Sequence, residues 1–300
     1  MLTDFRLSVM EKNLGVYGVL VHQNNKLIAK HSFRAENRIH IFSISKTLTS
    51  MAVGIAEKEG LLKLEDSVIS YFPEFESIAV AGSEKITIRN LLNMVSGHMS
   101  VGFTSIEANQ NQKEDWAELF FKEPMRGEAG AEESFTYENA CTYMLGRIIH
   151  KTSGLHLRDY MLPRFFEPLA INFPNWHTCP KGYNIGAFGL FLTTEEISRL
   201  GLLMLNGGVY NEKQVVPKDY LKRAITDTVQ ATWSDPEGSY GYGYQLWRCS
   251  IPNTYRADGK YGQYCVVLPD KNAVVTVTSH MEQNQSDILR AIWSDILPKL

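Results

Sequence analysis

The apolar positions of the chain fall into two periods. Residues 4–12 fit a short amphipathic helix, and a β-branched, apolar run follows at Gly15–His22. The polar triplet Gln23-Asn24-Asn25 then separates it from Lys26–His31. Two such runs around an Asn-rich turn predict a β-hairpin. Ile39–Phe42 predicts a short third strand. From Ser45 to Glu59 the period changes: Leu48, Met51, Ala52, Ile55 and Ala56 recur at helical spacing and Gly60 ends the run. Mainly helical or irregular segments continue to about residue 190, at 86–95, 114–122, 138–152 and 156–166. The polar, acidic stretch 105–134 reads as a loop over a surface. Thr193-Thr194-Glu195-Glu196 opens a helix that ends at Asn206-Gly207-Gly208, and Pro217 begins another. Residues 241–248, 255–267 and 273–279 are strand-like, and Ser286–Leu300 is a closing amphipathic helix.

Strands at both ends and helices in the middle predict an α/β part joined to an all-α part. The two ends pair into one antiparallel sheet flanked by terminal helices, and a helical domain is inserted between them. The expected boundaries are 1–45 with 190–300 for the sheet domain and 46–189 for the helical one. Neither an internal repeat nor a low-complexity tract interrupts this pattern.

Composition narrows the function classes. With 44% hydrophobic and 21% charged residues over 300 positions, the chain is an ordinary globular sequence. The 30 Lys and Arg against 33 Asp and Glu leave a net charge of −3, without the basic excess a nucleic-acid binder needs. The four cysteines form no CxxC pair, and the eight histidines form no HxxxH or HxH pair, so no zinc or other metal site is expected. No apolar run is long enough for a membrane span. The opening residues lack a signal-peptide pattern, so the chain as given reads as cytoplasmic, with a secreted chain trimmed of its leader as the alternative.

Three features carry candidate chemistry. Ser43-Ile44-Ser45-Lys46 is an S-x-x-K tetrad at a helix start. Residues three apart on a helix are neighbours, so Ser43 and Lys46 share a face, and a lysine with a lowered pKa can serve as base to a serine. Unpaired N–H groups at a helix start can hold an oxyanion. Such tetrads also arise by chance, and Ser45 reads as an N-cap. Tyr137-Glu138-Asn139 precedes another helix: a phenol can relay a proton and an amide can bind a carbonyl, although both residues are also common as packing and cap. Ala257–Tyr264 carries Gly259 and Gly262, which allow close backbone approach to a ligand or simply make a hairpin turn. His98 reads as packed or surface histidine rather than pocket lining. If 240–244 is a strand, Tyr240, Tyr242 and Tyr244 share one face, either in the core or along a cleft.

Taken in order, these segments resemble the penicillin-recognising serine enzymes, in the branch of class C β-lactamases, D-Ala-D-Ala carboxypeptidases, family VIII esterases and the nylon-oligomer hydrolase. Phe42–Thr47 looks like the nucleophile segment and Leu91–His98 like the "LLxMxSG" segment. Phe135–Ala140 with Leu145–Ile149 looks like "FxYxN…LGxII". Gly189–Thr193, Tyr240–Trp247 and Gly262-Gln263 also fit. The resemblance implies the site in a cleft between the two parts, with Ser43 as nucleophile, Lys46 as general base and Tyr137 as proton relay. It further implies that Asn139 contacts substrate and that the N–H groups of Ser43 and Lys260 form the oxyanion hole. It calls for no cofactor.

One segment departs from the family. Where β-lactamases carry K-T-G and related peptidases and esterases H-x-G or W-x-G, this chain has Ala257-Asp258-Gly259. The cation that engages a substrate carboxylate is missing from the triplet. Arg256 is expected on the opposite strand face, with Lys260 left to reach in. Asp258 would repel a carboxylate and attract an amine. The expected activity is therefore a serine hydrolase cleaving a small ester, an amide, a peptide or a β-lactam-like substrate through an acyl-enzyme. The alternative is a non-hydrolysing penicillin- or peptide-binding sensor or scaffold of the same fold. The oligomeric state is not encoded in any of these patterns.

Overall fold

The computed structural model describes residues 1–98, 115–232 and 235–300. The chain begins with α1 (Thr3–Glu11), the hairpin β1 (Val16–Gln23) and β2 (Lys26–Ser32), the short β3 (Ile39–His40) and the long α2 (Ile44–Lys58). The helices α3 (Ile88–Leu92), α4 (Trp116–Lys122), α5 (Asn139–Ser153) and α6 (Leu157–Met161) follow. Next come β4 (Phe191–Leu192), α7 (Thr194–Leu205), a small hairpin β5 (Val209–Tyr210) and β6 (Lys213–Gln214), and α8 (Lys218–Thr226). The chain closes with β7 (Tyr242–Gly243), β8 (Leu246–Arg248), β9 (Tyr255–Gly259), β10 (Gln263–Leu268), β11 (Ala273–Ser279) and α9 (Ser286–Ala291), beyond which wider and tighter helical turns run to Lys299.

Seven strands form one sheet in the order β2-β1-β11-β10-β9-β8-β7, with antiparallel pairing throughout. The two ends of the sequence therefore meet at β1 against β11, where Val19 faces Val277 and Val21 faces Val275. All seven residues of β11 are buried, because helices cover both faces of the sheet centre. On one face Val19, Val21, Val266, Val275 and Val277 pack against α1 and the C-terminal helical turns. On the other face Cys265, Val267 and Val274 join a core that continues without a break through α2 into α3–α6. Helix α7 lies close on that face through Gly201: a β-carbon there would stand 2.5 Å from Val274 Cγ1 and 2.8 Å from Cys265 Sγ.

Helix α2 runs through the middle of this core. Every residue from Ile44 to Ala56 is buried, including Lys46 at its first turn. The stripe read from the sequence, Leu48, Met51, Ala52, Ile55 and Ala56, is thus only part of what this helix buries. The capping expected at Thr193 is present: its hydroxyl accepts from the Glu196 N–H and the Glu196 carboxylate accepts from the Thr193 N–H.

Four expectations change. The strand at Ile39–His40 pairs with β4 in a separate two-stranded sheet rather than with the main one. The stretch 241–248 is two strands, since Tyr244 and Gln245 turn the chain with φ of 49° and 67°; Tyr240 is exposed, while Tyr242 and Tyr244 are buried. Of the stretch read as a surface loop, residues 105–114 lie outside the described residues. Within its remainder, the segment expected at 114–122 is the helix α4, and it packs inward rather than looping over a surface, burying Trp116, Ala117, Phe120 and Phe121. Ser45 caps nothing: it sits inside α2, fully buried, its hydroxyl unpaired among the described residues.

Candidate active site

Ser43 stands where β3 ends and α2 begins. Phe42 before it adopts φ of 49°, a left-handed conformation costly for a bulky residue. Its ring is wedged between His40, centroids 3.9 Å apart, and Tyr261, 5.0 Å apart. The N–H groups of Ile44, Ser45 and Lys46 bond back to the carbonyls of Ile41, Phe42 and Ser43, closing the first turn. Among the described residues the Ser43 N–H makes no backbone bond, and its hydroxyl caps nothing. Both are left for chemistry.

The Ser43 hydroxyl meets Lys46, whose Nζ lies 3.0 Å from Ser43 Oγ, 2.7 Å from Asn139 Oδ1 and 3.1 Å from the Ala187 carbonyl. Burial holds the Lys46 amine down to about 7, against the opposing pull of Asp258, Glu138 and Cys141. In the neutral amine, two N–H bonds go to Asn139 and Ala187, which aims the lone pair at the serine hydroxyl. The Ala187 carbonyl is steadied in turn: two residues on, the Gly189 N–H donates to His40 Nε2 at 2.7 Å, and burial holds His40 down to about 4, so this ring stays neutral.

Tyr137 approaches from the start of α5. Its phenol is hydrogen-bonded with Ser43 and with Trp247, and its ring lies 5.0 Å from Lys46 Nζ. Burial, and then the Asp258 carboxylate, push its pKa well above the usual phenol range. The phenol is therefore a weak acid that stays protonated. Asn139 is the first residue of α5. The resemblance assigned it to substrate; here its side-chain oxygen engages Lys46, and the residue also lines the cleft.

The opposite wall is β9 and its turn. A β-carbon on Gly259 would stand 2.3 Å from the Ile41 carbonyl, so only glycine lets this strand end lie against the turn that carries Ser43. Ala257 points away from the cleft into the core. Asp258 and Lys260 line the cleft, and so does Arg256. The expectation for Arg256 is corrected: Asp258, the middle residue of the triplet, faces the cleft, and period two brings 256 to the same side. Arg256 Nε donates to Asp258 Oδ2 at 3.0 Å. Burial pushes the Asp258 carboxyl up, and Arg256 pulls it back. These walls enclose a cleft of about 600 Å³, completed by Asp235, Glu237, Trp247, Tyr264 and residues Asn284–Ser286 leading into α9.

Residues 9–294 match the protein family described as Beta-lactamase. The chain belongs to the beta-lactamase family. Among curated relatives, penicillin-binding protein 4* of Bacillus subtilis is 26% identical over 151 residues, which is 49% of this chain and 32% of that longer protein. The 6-aminohexanoate-dimer hydrolase of Paenarthrobacter ureafaciens is 22% identical over 93% of this chain and 76% of its own length. Among solved structures, a D-stereospecific amidohydrolase from Streptomyces superposes with a TM-score of 0.73 at 18% identity, covering 97% of this chain and 98% of that one. That similarity carries the fold.

The other family segments support the site from behind. Asn93, in the Leu91–His98 segment, accepts the Tyr244 N–H at 3.0 Å, and Gln245 joins Leu91, Leu92 and Thr142. His98 is packed, not cleft-lining: it is 2% exposed and edge-on to Phe120. Four contributors were missed or misplaced in the sequence reading of this beta-lactamase-family site. Ala187 acts through a backbone carbonyl and leaves no side-chain signature. Arg256 was assigned to the wrong face. Asp235 and Glu237 sit in a stretch with no recognisable pattern. The four cysteines are buried and unpaired, and among the described residues no helix is long and apolar enough to cross a membrane.

Proposed function

We propose that this member of the beta-lactamase family is a serine hydrolase that cleaves an ester or amide through an acyl-enzyme on Ser43. The observation that carries the reading is the buried Lys46 amine, 3.0 Å from Ser43 Oγ, with its pKa near neutrality and its N–H groups engaged elsewhere. Ser43 Oγ attacks the carbonyl carbon as its proton passes to Lys46. The N–H groups of Ser43 and Lys260 take the developing oxyanion. Tyr137 relays the proton to the leaving oxygen or nitrogen, and the bond to it breaks. Water then attacks the acyl ester, giving its proton to Lys46, and the Ser43 hydroxyl is restored. The cleft is of a size for a small molecule or a short peptide. The hydrolase and amidohydrolase names of its relatives fit this reaction.

Intact-mass spectrometry after a fluorophosphonate and, separately, penicillin G tests the reading. The fluorophosphonate is expected to add one equivalent on Ser43, and Ser43→Ala to abolish it with unchanged thermal melting. A labelled Ser43→Ala protein would sink the assignment. One equivalent of acyl group with no later release of product would favour a binding protein over a hydrolase.

A further inference from the structure

The pair Arg256–Asp258 sits on the cleft wall and has no part in the proton path from Ser43 to Lys46 and Tyr137. Its two members are not equally placed. The Arg256 side chain is 5% exposed and that of Asp258 is 22%. The carboxylate is thus what the cleft meets, with the guanidinium behind it. Arg256 is also held independently of Asp258, because Nη1 donates to the carbonyls of Glu237 at 3.1 Å and Arg248 at 3.0 Å. Trp247 lies under it, ring centroid 5.7 Å away.

A fixed guanidinium is a carboxylate receptor. We infer that Asp258 is an internal stand-in for a substrate carboxylate: it occupies Arg256 and turns the cleft beside Ser43 toward acyl donors that carry no negative charge. The inference rests on Ser43 being the acylated residue. An incoming carboxylate would meet Asp258 at close range while giving up its water, and like charges brought together in a partly dry site are costly. The neighbouring charges do not offset this. Glu237 lines the same cleft, with its carboxylate accepting from Ser250 and Trp293 and no ion-pair partner among the described residues. Asp235 has Arg290 at 3.8 Å. Lys260 is exposed, and water screens its charge.

The test uses two p-nitrophenyl esters with five-carbon acyl chains, the pentanoate and the monoester of glutaric acid, which differ in a terminal carboxylate. For the unaltered protein kcat/KM should favour the pentanoate by about tenfold or more. Asp258→Asn keeps an oxygen for Arg256 Nε and removes the charge. It should raise the ratio of glutarate to pentanoate kcat/KM by about tenfold, and adding Arg256→Gln should cancel the gain. Asp258→Ser should move the ratio the same way, and thermal melting checks that each variant folds. Equal kcat/KM for the two esters in the unaltered protein overturns the inference, as does a folded Asp258 variant with an unmoved ratio. Fluorophosphonate labelling of Ser43 in every protein separates the two failures. Labelled proteins that ignore the carboxylate discard the role of Asp258 alone, whereas unlabelled, inactive proteins discard the acyl-enzyme and this inference with it.

Discussion

Lys46 brings a cationic side chain into the centre of the molecule, where only neutralisation or full pairing makes burial tolerable. It has three acceptors, Ser43 Oγ, Asn139 Oδ1 and the Ala187 carbonyl, so the ammonium form is paired too. Burial nonetheless holds the amine down to about 7. In the proposed reaction the base is the neutral amine, so Ser43 labelling by a fluorophosphonate should fall as pH drops through about 7 and be roughly a hundredfold slower two pH units below. Rates measured from pH 5 to 8 check this; a flat profile would remove Lys46 from the base role. Lys46→Met should lower the plateau rate by about 10²–10⁴. The pairing of Ser43 with Lys46 was legible because it is local, three residues apart on one helix. The partner of Asn139 was not, since nothing near position 139 announces a lysine 93 residues earlier.

Elements show the same limit. The turn joining β7 to β8 puts Tyr244 and Gln245 at positive φ, where Asn-Gly would be expected. Distant groups hold it there: Asn93 Oδ1 and the Leu92 carbonyl accept the N–H groups of Tyr244 and Gln245, and the Gln245 carbonyl accepts from Thr47. The Gln245 side chain, 2% exposed, donates to the carbonyls of Leu91 and Leu92 and accepts from Thr142 and Tyr242. One side chain thus ties the turn to α3 and α5, and its backbone carbonyl reaches α2. Gln245→Leu, of similar bulk, strands several of these groups. It should cost about 2–4 kcal/mol in urea unfolding; a loss under about 0.5 kcal/mol would show that the network is not what holds the turn. A pattern read along the chain sees eight strand-like residues at 241–248. The break comes from residues about 100 to 200 positions away, so the sequence alone could not place it.

At the scale of the whole molecule, strands from both ends pair in one sheet with α2 in the core on one of its faces, and the pairing of the two ends was legible because the strands carry their own apolar period. The helices between were legible too, at 45–59, 86–95, 114–122, 138–152 and 156–166; how deeply they are buried was not, because that depends on contacts made across the whole chain. Burial of that depth also sets how the molecule responds to acid. His98 is 2% exposed against Phe120, both ring nitrogens lack a partner among the described residues, and burial holds it down to about 4 from an ordinary 6.5. A base with a lowered folded pKa takes up its proton first in the unfolded chain. Between pH 6.5 and about 4 the unfolded state therefore binds more protons than the native one, and stability falls as pH falls. For His98 the full loss is on the order of 3 kcal/mol, complete near pH 4 and absent above about 7. His40, also held down to about 4, acts in the same direction. His98→Met keeps an apolar filling for the site and cannot titrate. Urea midpoints at pH 7 and pH 4.5 should therefore lie closer together in His98→Met than in the unaltered protein, by most of that amount. Equal separations would mean that His98 reaches water before the molecule unfolds, and that its packing against α4 opens as a local event rather than with the whole core.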